Sequence, residues 1–174
     1  YITGRKEFYG YDFFVTPDVL IPKPDTEILV ESAILKITEK INEEGKNGIS
    51  SICDICTGSG CVGLSVIKSL SERNEIPSAK LPELTLSDIS SAALLIAEKN
   101  AKNLLPKELC QKINLVHSDL FSAIPQKFDM ILSNPPYVPG KMVDELLKDG
   151  RSEPRLALDG DAYEEPSNDG LSII

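Results

Sequence analysis

An α/β fold built on an open, mostly parallel sheet with flanking helices is what the 174-residue sequence predicts, and three observations predict it. Four short apolar runs alternate with segments of helical periodicity, as βαβ units require. The first run feeds directly into a glycine-rich turn, Cys56-Thr57-Gly58-Ser59-Gly60, that opens a helix. All four runs end in polar or glycine residues, so their carboxyl ends define one crevice, the place where open α/β sheets bind ligands.

The elements follow in order. Residues 1–19 alternate aromatic and polar side chains around Gly4 and Gly10, the pattern of a β-hairpin, and carry most of the chain's aromatic residues. Leu20 to Glu27 reads as a stiff extended segment entering a helix, with Asp25 or Thr26 as the cap and Glu27 complementing the positive helix end. Val30, Ala33, Ile34, Ile37 and Ile41 recur at helical spacing, and Glu43 to Ser50 is a polar loop. Ser51 to Ile55 is the first sheet strand, and the helix after its turn carries Val62, Val66, Ile67 and Leu70. Leu84 to Ser87 forms a second strand, tipped by Asp88. A helix runs from Ser90 through Ala101, and Ile113 to His117 makes a third strand, followed by Ser118, Asp119 and Leu120. Phe128 to Ser133 is the fourth strand, expected to be buried on both faces because its apolar run is short and lacks a polar stripe. A charged helix from Lys141 to Lys148, a turn over residues 150–154, Leu156 to Gly160 and an acidic loop over 161–168 complete the chain. The expected division is a hairpin and linker over 1–24 and one α/β domain over 25–174.

Composition narrows the function. A net charge of −9 opposes stable binding to a phosphate backbone, which needs clustered Lys and Arg. No run is long or apolar enough for a membrane span or a signal sequence, so a cytoplasmic protein is expected. Cys53, Cys56, Cys61 and Cys110 read as structural thiols rather than a zinc or redox site, and His117 is the sole histidine, so no metal is expected.

Two stretches carry chemistry. Gly58, Gly60 and Gly63 satisfy G-x-G-x-x-G between a strand and a helix, the pattern that lets a nucleotide approach the backbone, and Asp88 at the next strand tip suits ribose hydroxyls. The other is Asn134-Pro135-Pro136-Tyr137, which stops the fourth strand abruptly. The Asn134 amide and the Pro135 carbonyl together can grip a planar amide or ring NH2 group, and Tyr137 can stack on it. This is a holder for a nucleophilic nitrogen; as a bare tetrapeptide it is also an ordinary turn leaving a strand.

With these residues assembled, the chain resembles the S-adenosylmethionine-dependent methyltransferases of class I, which have a Rossmann-like fold. Within them it is similar to the HemK/PrmC family of release-factor glutamine methyltransferases. The likeness runs from Thr3-Gly4-Arg5 through Leu20-Ile-Pro-Lys-Pro-Asp-Thr-Glu27, Asp54 to Gly60 and Asn134 to Tyr137, to Glu153-Pro154 and Leu156 to Gly160. It implies transfer of a methyl group from S-adenosylmethionine to the glutamine amide nitrogen of the Gly-Gly-Gln motif in peptide chain release factors, leaving S-adenosylhomocysteine. Cys56 to Gly60 would then approach the methionine part of the cofactor, Asp88 the ribose, and Asp119 with Leu120 the adenine. Asn134 would lie beside the cofactor, and Asn134, Pro135, Pro136 and Tyr137 would hold the substrate amide.

The chain departs from the family where Lys23 replaces Arg, where Cys56 replaces Gly, and where residues 161–168 form an insertion before Asp169-Gly170-Leu171. The resemblance further implies a helical domain before Tyr1 and further strands after Ile174, so that the sequence is expected to be a piece of a longer protein. The alternatives are an adenine amino-methyltransferase using the same clamp on a flipped base, an NAD-dependent oxidoreductase resting on the glycines and Asp88, and a non-catalytic binding module.

Overall fold

A computed structural model of the chain describes residues 3–42, 48–73, 76–148, 153–161 and 169–172. The expected loops over 43–50 and 161–168 therefore lie largely outside the described residues. Strands β1 (Arg5–Phe8) and β2 (Tyr11–Phe14) form the antiparallel hairpin. Its two turn residues, Tyr9 and Gly10, both have positive φ, as a tightly twisted two-residue turn requires. Phe8 and Phe13 meet edge to face at 6.1 Å and are buried in the main core, so the hairpin packs on the α/β layer.

A 3-10 turn over Pro24–Thr26 leads into α1 (Glu27–Asn42). The expected cap at Asp25 or Thr26 is corrected: Lys23 stands in the extended position before the turn, without a side-chain cap. Proline at the first turn position supplies the helical φ instead. The Glu27 carboxylate accepts the Tyr9 N–H at 3.0 Å, pinning the hairpin turn to the helix start.

The main sheet is formed by β3 (Ser51–Ile55), β4 (Glu83–Asp88), β5 (Ile113–His117) and β6 (Met130–Ser133), all parallel in the order β5-β4-β3-β6. In register, Ile55 lies beside both Ser87 and Ser133, and Asp88 beside His117, so the four carboxyl ends are level. Helix α2 (Cys61–Ser71) follows β3, α3 (Ser91–Leu104) follows β4, and a short α4 (Lys107–Cys110) precedes β5. Helix α5 spans Gly140–Lys148. The core is the layer in which Val30, Ile34 and Ile37 of α1 and Leu64, Ile67 and Leu70 of α2 cover Ile52, Leu84 and Leu86 of the sheet.

The fourth strand is not buried on both faces. Leu132 is 4% exposed, but Ile131 is 53% exposed, because β6 forms an edge of the four-stranded sheet and only one of its faces is covered among the described residues. An apolar tripeptide records preference for burial; the neighbours decide how many faces receive it.

Candidate functional site

Level strand ends place four loops around one cavity of about 320 Å³, a volume within the range of small-molecule sites. Its floor is the turn after β3. Here Cys56 adopts φ 57°, a left-handed conformation rarely taken by a residue with a side chain, and Leu120 after β5 adopts φ 46°. Both line the cavity, where backbone strain often marks function. Gly58 also lines it, and a Cβ there would project into open space. Gly60 plays a different part: its φ is 79°, and a Cβ would come within 2.9 Å of Leu64 and 3.3 Å of Ala97. It allows α2 to pack closely against α3 rather than walling the cavity.

Carboxylates organise this turn. Asp88 accepts the Gly58 N–H at 2.8 Å and the Ser90 N–H at 2.9 Å. Ser90, not Asp88, caps α3, its hydroxyl accepting the Ala93 N–H. Asp54, within β3, is 1% exposed and accepts the Thr57 hydroxyl at 2.7 Å and the Gly63 N–H at 3.1 Å through one oxygen. Burial pushes its pKa up to about 6, against the opposing pull of those two donors. Burial, with the nearby Asp88 and Asp54 charges, pushes the Cys56 thiol up to about 11. A thiol so raised is protonated and poorly nucleophilic at neutral pH.

The opposite wall comes from distant segments. Pro17 to Leu20, Pro22 and Lys23 form one strap, and Pro154, Leu156 and Ala157 another. Lys23 and Glu153 join the two straps through an ion pair of 2.6 Å, and the Glu153 side chain is 5% exposed. Four carboxylates, Asp18, Asp54, Asp88 and Asp119, face the cavity against the single ammonium of Lys23 among the described residues. That balance suits a cationic ligand with an apolar body.

Asn134 stands at the end of β6 on the cavity wall, and its Nδ2 donates to the Thr26 hydroxyl at 3.4 Å. This leaves its carbonyl oxygen as the acceptor for a guest. Pro136 lines the cavity too, whereas Pro135 and Tyr137 lie outside the lining, and Tyr137 is 61% exposed. Of the residues singled out from sequence, the structure thus brings Cys56, Thr57, Gly58, Ser59, Asp88, Asp119, Leu120, Asn134 and Pro136 together. Pro135, Tyr137 and Gly60 flank or support them. Asp54 opens one of the stretches that carry the resemblance but was given no role in the site, although a charged residue inside a mostly apolar strand is a signal that could have assigned one.

The Asn134 segment is braced from behind. Val138 pairs with Asp159 in an isolated parallel bridge, and the Val138 N–H donates to Leu158 at 2.9 Å while the Gly160 N–H donates back to Val138 at 3.0 Å. The buried Asp161 carboxylate accepts the Gly140 N–H at 3.1 Å and the Gly170 N–H at 2.9 Å. Asp161 and Gly170 therefore meet, with Gly170 against the Tyr137 backbone.

Known proteins resemble this chain in sequence and in fold. A family model described as the methyltransferase small domain matches residues 33–152. The release factor glutamine methyltransferase of Leptospira interrogans serogroup Icterohaemorrhagiae serovar Lai is 42% identical over 161 residues, covering 91% of this chain and 50% of the relative. The protein of the same name from Borreliella burgdorferi is 38% identical over 173 residues, covering 99% of this chain and 51% of its own length. The chain thus spans about half the length of these relatives. Among solved structures, the SAM-dependent methyltransferase from Agrobacterium tumefaciens superposes with a TM-score of 0.53 at 18% identity, covering 76% of this chain and 39% of that one, a likeness of fold. Since the family model spans well over half of the sequence and includes the glycine turn, Asp88 and the Asn134 segment, the chain belongs to the methyltransferase small domain family.

Proposed function

We propose that the protein transfers a methyl group from S-adenosylmethionine to the glutamine side-chain amide of peptide chain release factors, in the cytoplasm. The observation that carries this reading is the meeting, on one acidic cavity, of the glycine turn and the Asn134 amide. The names of the relatives supply the substrate.

The residues present fit the cofactor. The cavity is large enough, its apolar lining suits a nucleoside, and its carboxylates suit a sulfonium and an ammonium group. Asp88 would hold the ribose, Cys56 to Gly60 would lie along the methionine part, and Asp119 with Leu120 would meet the adenine. When bound, S-adenosylmethionine supplies an electrophilic methyl group.

The chain's task is then to hold the acceptor nitrogen in line. The Thr26 hydroxyl engages the Asn134 Nδ2, and Oδ1 would then be the atom that accepts from the substrate NH2. The Pro135 carbonyl takes no hydrogen bond from the described residues and can serve as the second acceptor. Two acceptors on the NH2 group fix its plane and stabilise the positive charge that develops on nitrogen as the new bond forms. Exposed Tyr137 can close over the flat amide.

Incubating the complete protein with methyl-labelled cofactor and either release factor or adenine-containing nucleic acid tests the proposal. Label is expected on the release-factor glutamine. Label found only in nucleic acid would give the clamp to a base instead.

A further inference from the structure

Asn100 lies in the middle of α3, is 0% exposed, and does not line the cavity. A buried carboxamide must have its donors and acceptor matched. Here the partners lie outside the helix, on two segments remote in sequence. Its Oδ1 accepts the Phe14 N–H at 2.7 Å, and its Nδ2 donates to the Phe14 carbonyl at 3.0 Å and to the Ser59 carbonyl at 2.9 Å. One side chain thus completes both backbone groups of the last residue of β2 and holds one peptide of the glycine turn.

The held peptide is the one that shapes that turn. It joins Ser59 to Gly60, whose φ is 79°, and its other end is fixed as well, because the Gly60 N–H donates to the Thr57 carbonyl at 2.9 Å. In a trans peptide the C=O and N–H point in opposite directions. Nδ2 therefore draws the Ser59 carbonyl towards α3 while the Ser59 residue lines the cavity. Without that donor, the carbonyl would be a buried acceptor with no partner, and rotation of the peptide would bring it towards the cavity.

Resting on the reading that this cavity takes S-adenosylmethionine, we propose that Asn100 is a positioning residue for the cofactor turn. Through it, docking of the N-terminal hairpin sets the shape of the Ser59–Gly60 peptide. Hairpin and cofactor are then thermodynamically linked, and the linkage must act in both directions.

The test uses the full-length protein and calorimetry with S-adenosylmethionine. Asn100→Leu, close in size but without hydrogen-bonding groups, is expected to raise the cofactor Kd by about tenfold or more. At saturating cofactor, kcat and the release-factor KM should stay within about twofold of the parent. Ile37→Val, which trims the core beneath α1, lowers Tm without touching the turn and is expected to leave the Kd unchanged. A folded Asn100→Leu protein with the parent's Kd would overturn the proposal. Should that variant not fold, amide exchange of the parent decides: added S-adenosylmethionine is expected to slow exchange of the Phe14 N–H, and an unchanged Phe14 rate would overturn it. A parent that binds no S-adenosylmethionine would overturn the cofactor reading and this proposal together, whereas normal binding with unlinked variants defeats this one alone.

Discussion

Asp54 has its pKa pushed up to about 6 because burial disfavours its charged form more than Thr57 and Gly63 favour it. The sign of the consequence follows. Between the ordinary aspartate value of 3.8 and about 6, the folded chain holds a proton that the unfolded chain has released, so stability falls as pH rises through that window. The whole effect is worth about 3 kcal/mol. Asp54→Asn keeps an acceptor for both donors and cannot ionise; denaturant melts from pH 3.5 to 7 should show a flatter slope for the variant than for the parent. Asn134→Ala tests the clamp instead. Turnover should drop roughly 10²–10³-fold in single-turnover assays while cofactor affinity changes much less. Asn134 was legible in the sequence because an amide between an apolar run and two prolines has its position fixed by local chemistry. Asn100 was not, since its partners Phe14 and Ser59 lie 86 and 41 residues away, and no local pattern records such distances.

At the level of elements, the strand-to-loop transition after β6 depends on backbones packed against each other. Gly170 has φ 83°, and a Cβ there would lie 2.3 Å from the Tyr137 carbonyl oxygen. Gly170→Ala would combine a left-handed penalty of about 1–2 kcal/mol with that overlap. A lower Tm and a loss of methyl transfer are expected, with cofactor affinity retained in the folded fraction, because the displaced residue is Tyr137 and not the glycine turn. Calorimetry and a turnover assay on one preparation would separate the two. The hairpin, the four parallel strands and their polar tips could be read from periodicity, which is local. The exposed face of β6 could not, because Ile131 is exposed by what its neighbours leave uncovered.

For the molecule as a whole, the charge of −9 and the four carboxylates of the cavity act in the same direction. S-adenosylmethionine carries one more positive charge than S-adenosylhomocysteine, with nearly the same shape. Raising ionic strength from 0.01 M to 1 M shortens the screening length from about 30 Å to about 3 Å. The affinity for S-adenosylmethionine should weaken more steeply across that range than the affinity for S-adenosylhomocysteine. Parallel salt dependences for the two ligands, measured by calorimetry, would show that the acidic lining does not discriminate between substrate and product.

Among the described residues no strand pairs with the outer side of β6, which has a practical consequence. A sheet edge presents unpaired N–H and C=O groups, and with Ile131 exposed beside them it is a template on which another chain can add a strand. At high concentration the chain should self-associate through that edge. Ile131→Lys places a charge where a neighbouring strand would dock, and light scattering should then show a later onset of aggregation with concentration.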